Sequence, residues 1–122
     1  TQSRSSAASD VYKRQAKKPG QPRVRRWPNI LEKDFQQMVL NVAKPCGWLT
    51  YHTYDSRRSD PGFPDLTLVR GERLLFAELK TVKGRLSDTQ EHWLALLTKV
   101  PCTEVYLWRP TDWDAIVEIL SR

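Results

Sequence analysis

The residues best suited to do chemistry are Asp65, Glu78 and Lys80. Gly71-Glu72 separates two apolar-rich runs, 64–70 and 73–80. A two-residue turn with glycine first fits a type II′ β-hairpin. That register pairs Arg70 with Arg73 and Val69 with Leu74, and counting outward sets Asp65 opposite Glu78. Directly opposed residues share a face, with Cβ atoms about 4.5–5.5 Å apart. Lys80, two residues beyond Glu78, points to the same face. The hairpin alone therefore converges two carboxylates and an ammonium.

Such a cluster is costly without a partner. Leu66, Leu68, Leu74, Leu75, Phe76, Ala77 and Leu79 mark the hairpin as mostly buried. Opposed carboxylates there repel each other and lose hydration. A divalent cation resolves both problems, and a set of only two carboxylates suits Mg²⁺, which keeps waters and binds phosphate oxygens. The competing reading is a salt-bridged cluster at a sheet end, with Asp65 a strand-entry residue after Pro64.

The elements that position these residues follow from pattern. Leu31, Phe35, Met38, Val39 and Val42 recur at helical spacing, and Pro45 and Gly47 end that helix. Trp48 to Tyr54 alternates like a strand, with Leu49, Tyr51 and Thr53 on one face. Next come a polar loop (55–62) and the hairpin. Ser87-Asp88-Thr89-Gln90 reads as a capping box opening a helix to about Lys99. Glu104 to Trp108 is a short strand. Thr111 to Asp114 caps a last helix with the stripe Trp113, Ile116, Val117 and Leu120. The expected class is α/β, in the order α-β-β-β-α-β-α, with a mixed sheet whose central β-hairpin is flanked by helices.

Length and composition bound the rest. A chain of 122 residues, 39% hydrophobic and 28% charged, suits one globular domain with a modest core. No run of about 18 apolar residues exists to span a membrane, and no secretory h-region is evident. Cys46 and Cys102 are too few for a disulfide framework or a zinc site, and both are expected as buried free thiols. A cytoplasmic protein is expected. The net charge of +6 points to a nucleic-acid partner. Its distribution weakens that signal: residues 1–28 hold eight Lys/Arg and one acid, whereas 29–122 hold 12 bases and 13 acids. Residues 1–28 read as a disordered basic tail, partly non-native because Ser6 to Gln15 resembles translated adapter sequence. A basic DNA-binding arm, Lys17 to Arg26, is the alternative. Residues 29–122 form the expected domain.

Further residues match a known family. Gly62-Phe63-Pro64-Asp65 followed by Phe76-Ala77-Glu78-Leu79-Lys80 resembles the PD-(D/E)xK nuclease motif. With Gly47 to Thr53, Asp55 to Ser59, Pro61 to Leu66 and Ser87 to Trp93, the chain resembles a stand-alone VRR-NUC domain from about Leu31 to Leu120. The resemblance implies a restriction-endonuclease-like core and Mg²⁺- or Mn²⁺-dependent hydrolysis of DNA phosphodiester bonds. It implies a preference for branched or flapped DNA and a possible homodimer. A non-catalytic nucleic-acid-binding module with a retained nuclease fold is the alternative. The resemblance also implies a fourth acidic position, which Glu32 fits, and the Leu79 backbone carbonyl as a metal ligand. Glu32 otherwise reads as a first-turn acid favoured by the helix dipole. Gln90 matches a motif glutamine or is the capping-box side chain, and one residue is not expected to do both.

Arg57 and Arg58 lie on the loop entering the Asp65 strand, and Lys83 and Arg85 on the loop leaving the Glu78 strand. Both loops border one end of the hairpin, a basic rim suited to phosphate contact; solvated loop charge is the plainer reading. His52 fits a phosphate contact or core packing equally. Trp48, Tyr51 and Trp93 read as core.

Overall fold

The computed structural model describes residues 29–54 and 56–122. The expectations for the tail, 1–28, lie outside the described residues, as does Asp55. The first helix, α1 (Glu32–Ala43), opens with Glu32 and Asp34 in its first turn, where the exposed N–H groups favour negative charge. It buries Phe35, Val39, Leu40 and Ala43. This face is rotated from the expected stripe. Leu31 is exposed, and Leu40 and Ala43 take the inward positions instead. Lys44 to Gly47, with Gly47 at φ +90°, turns the chain into β1 (Leu49–His52).

Strands β2 (Leu66–Arg70) and β3 (Arg73–Leu79) form the expected hairpin, paired from Arg70↔Arg73 to Leu66↔Ala77. Gly71 is at φ +59° and Glu72 is not left-handed, as a II′ turn requires. Helix α2 (Asp88–Thr98) crosses over to β4 (Thr103–Trp108), which lies parallel to β3. Helix α3 (Trp113–Ser121) follows a short 3-10 turn. The sheet order is β1-β2-β3-β4, antiparallel except for its last pair.

One face of the sheet carries the core. Leu66, Leu68, Leu75, Ala77, Leu79, Tyr106 and Trp108 pack with Phe35 and Val39 of α1 and Ile116, Ile119 and Leu120 of α3. Ile119 takes the inward place expected of Val117. Trp48 is core as expected, with its indole N–H donating to the Leu120 carbonyl at 2.8 Å. The guanidinium groups of Arg70 and Arg73 lie 4.6 and 4.8 Å from its ring, a cation–π arrangement.

Alternation puts Val105 and Leu107 on the other face, where α2 buries Leu94. Helix α2 covers the β4 side only, so Leu49 is 75% and Tyr51 62% exposed on β1. The expectation that Tyr51 is core is thereby corrected: period two separates faces, but a face is buried only where a helix lies over it. Trp93 is half-buried instead of core, and its indole donates to the Pro61 carbonyl at 3.1 Å. The cysteines are also not buried: Cys46 is partly covered, and Cys102 is exposed in the turn before β4.

Candidate active site

The end of the hairpin away from Gly71 is built by one break in the ladder. Continuing the register would set Leu79 against Pro64 in a hydrogen-bonded pair. Proline has no N–H, so the Leu79 carbonyl receives no ladder bond from it. The Leu79 N–H donates to Asp65 Oδ2 at 2.8 Å. Asp65 therefore sits just outside β2, with its carboxylate fixed against the end of β3.

Glu78 occupies the opposing position and is only 1% exposed. Its Oε2 lies 3.8 Å from Lys80 Nζ and accepts a 2.8 Å hydrogen bond from Gln90 Nε2. Its Oε1 is buried with no hydrogen-bond partner. Glu32 enters from the start of α1, and carboxylate oxygens of Glu32, Asp65 and Glu78 lie within 4.8 Å of one another. The leading cause acting on each acid is burial, which disfavours the charged form. It raises the pKa of Asp65 against the opposing Leu79 N–H bond, and that of Glu32 with help from the Asp65 charge. Glu78 is pushed up to about 9 by burial and by the facing Asp65 charge. Three carboxyls facing one another in this way form a set of hard oxygen donors.

A profile of the VRR-NUC domain matches residues 2–107. The chain belongs to the VRR-NUC domain family. It is thus a nuclease domain of the restriction-endonuclease-like superfamily, and its nucleic-acid substrate follows from that membership. The matched span begins ahead of Leu31, where the motif resemblance starts, and takes in most of the 1–28 segment. Comparison with curated proteins and with solved structures found no match.

The VRR-NUC chain brings together Asp65, Glu78, Lys80, Glu32 and Gln90. Gln90 overturns the expectation that it serves one role. Its Oε1 accepts the Ser87 N–H at 2.8 Å, closing the capping box of α2, while Nε2 reaches Glu78. An amide has a separate acceptor and donor end, so both bonds coexist. Arg57 and Arg58 lie exposed on a 3-10 turn between β1 and β2, and Lys83 and Arg85 are exposed on the loop after β3. Both connections meet the carboxylate end of the sheet. His52 pairs with Leu66, so it shares the core-side face and not the Asp65 face; its ring stacks on Tyr54.

Two contributors were missed from sequence. Gly62 sits at φ +94°, where a Cβ would lie 2.5 Å from the Thr89 carbonyl carbon. This contact locks the Asp65 entry loop onto the first turn of α2, beside Gln90. Phe63 fills the same junction, edge-on to both Phe76 and Trp93. The Gly-Phe-Pro-Asp run carried the signal, since a glycine before an aromatic and a proline marks a tight turn. Arg109, whose guanidinium donates to the Thr81 and Gly84 carbonyls of the loop after β3, is the second, and no local pattern announces it.

Proposed function

We propose that this chain is a divalent-cation-dependent endonuclease that hydrolyses DNA phosphodiester bonds, with a preference for branched or flapped DNA. The observation that carries the reading is a group of three acids, Glu32, Asp65 and Glu78, with carboxylate oxygens within 4.8 Å of one another, in which Glu78 also has a buried Oε1 without a hydrogen-bond partner. A buried acceptor left unsatisfied is costly, and a hard cation satisfies it together with Asp65 and Glu32. A binding module has no use for buried carboxylates facing a phosphate backbone, so the non-catalytic alternative leaves this oxygen without a reason.

In this reading Asp65, Glu78 and Glu32 hold Mg²⁺ or Mn²⁺, joined by the Leu79 carbonyl, to which Pro64 offers no N–H. Such an ion, when bound, lowers the pKa of a coordinated water and offsets charge on the scissile phosphate. The chain's own groups do the positioning. Gln90 fixes Glu78 Oε2 and leaves the buried Oε1 without a protein partner. Lys80 holds its ammonium beside Glu78, where it orients the attacking water and stabilises the five-coordinate phosphate. Arg57, Arg58, Lys83 and Arg85 contact the backbone on either side, fixing the substrate without reading its sequence. The reading includes a homodimer, for which the open strip of Leu49, Tyr51 and Val69 supplies an apolar face.

The test is cleavage of supercoiled plasmid, linear duplex, flapped and four-way DNA in Mg²⁺, Mn²⁺ or EDTA. The reading expects cutting in either metal, fastest on branched DNA, and none in EDTA or with Lys80→Ala. Intact DNA in every metal at high protein excess contradicts it. Equal rates on linear and branched DNA contradict the structural preference alone.

A further inference from the structure

The loop after β3 carries Lys83 and Arg85, and it is held by one side chain from a distant part of the chain. Arg109, the residue after β4, extends its guanidinium back over this loop. Its Nη1 donates to the Thr81 carbonyl at 2.8 Å and the Gly84 carbonyl at 2.6 Å, with Val82 O at 3.4 Å. The turn also closes on itself, Gly84 N–H donating to Thr81 O at 3.2 Å. Arg109 is braced in turn: its own N–H donates to Asp112 Oδ2 at 3.0 Å, and Asp112 is buried. The turn lies against the catalytic-face lysine, since a Cβ on Gly84 would be 3.4 Å from Lys80 Cδ.

A short solvated loop with two cations would ordinarily sample many conformations, and ordering it on a phosphate backbone would cost affinity. A guanidinium bonded to converging carbonyls removes that freedom beforehand. Neither β-sheet pairing nor helix capping requires the contact, because Lys80 is already tied to Trp108 by its backbone N–H. We propose that Arg109 is a positioning residue that pre-orders the 81–85 loop so that Lys83 and Arg85 meet the DNA backbone beside the scissile phosphate. This deepens the nuclease reading and rests on it.

The test is binding of a fluorescent four-way DNA in Ca²⁺ over a range of salt. It compares the wild type, Arg109→Met, the Lys83→Ala/Arg85→Ala pair, and the triple variant. Arg109→Met is expected to weaken binding several-fold and to flatten the salt dependence by about one counterion. In the protein lacking Lys83 and Arg85 it is expected to change nothing further. That non-additivity separates positioning from a plain loss of stability or of charge. If Arg109→Met does not fold, Arg109→Lys, which keeps charge and a donor, carries the same comparison. Wild-type affinity in the Arg109 variant, or an equal loss in both backgrounds, overturns the clamp and leaves the nuclease reading intact. Unchanged affinity in the Lys83→Ala/Arg85→Ala protein overturns the loop's part in DNA binding, and this proposal with it.

Discussion

Gln90 donates its side-chain amide to Glu78 Oε2 across 2.8 Å while its carbonyl oxygen accepts the Ser87 N–H at the same distance. The first turn of α2 and the orientation of a buried acid at the end of β3 are therefore set by one side chain.

Substitution separates the two ends. Gln90→Glu keeps the acceptor that caps the helix but turns a carboxylate toward Glu78. Stability is expected to fall by no more than a helix cap is worth, about 1 kcal/mol, whereas metal affinity or cleavage falls by about 10–100-fold, as for outer-shell partners generally. Chemical denaturation and a Mn²⁺ titration measure the two effects. Equal metal affinity in variant and wild type would show that the Glu78 contact is incidental.

The hairpin was legible because turn chemistry fixes register: Gly71-Glu72 determines which residues oppose, and Asp65 and Glu78 follow by counting. The ladder break was not counted on, although Pro64 announces it. Faces were legible but their covering was not. Alternation separates Leu49 and Tyr51 from Thr50 and His52, yet only the placement of α2 over β4 decides that the first pair stays open. Arg109 escaped because its partners lie 25 to 28 residues away, and a lone arginine after a strand carries no signal of a carbonyl clamp.

The acid cluster has a pH signature. Folded Glu78 ionises near 9, against an ordinary value of 4.5. Between these values the unfolded chain has lost a proton that the fold retains, so metal-free stability falls as pH rises through that window and levels beyond it. Asp65 and Glu32, both raised, act in the same direction. Thermal melts in EDTA are expected to show a declining midpoint across the window, and Glu78→Gln to reduce that slope. A midpoint that rises from pH 5 to pH 9 in the wild type and not in Glu78→Gln would contradict this sign.

Gly62 tolerates no side chain. At φ +94°, with backbone atoms of Thr89 at 2.5 and 2.6 Å from a Cβ, alanine must push α2 off the entry loop. Gly62→Ala is expected to cost roughly 1–3 kcal/mol from backbone strain alone, and to slow cleavage because Asp65 and Gln90 are displaced together. Urea denaturation and rates measured under folded conditions check both parts. A fully stable, fully active alanine variant would mean the junction relaxes freely.

Asp65, Glu78 and Glu32 are proposed to close on a divalent cation. Calorimetric titration of Mn²⁺ at pH 7, in two buffers of different ionisation enthalpy, measures it most directly. Burial and the Asp65 charge raise the Glu78 pKa in the metal-free protein, and a carboxyl that ligates a cation must give up its proton. Saturable binding with release of about one proton per ion is expected, both lost in Glu78→Gln. Binding without proton release, or binding unchanged by that substitution, would contradict it.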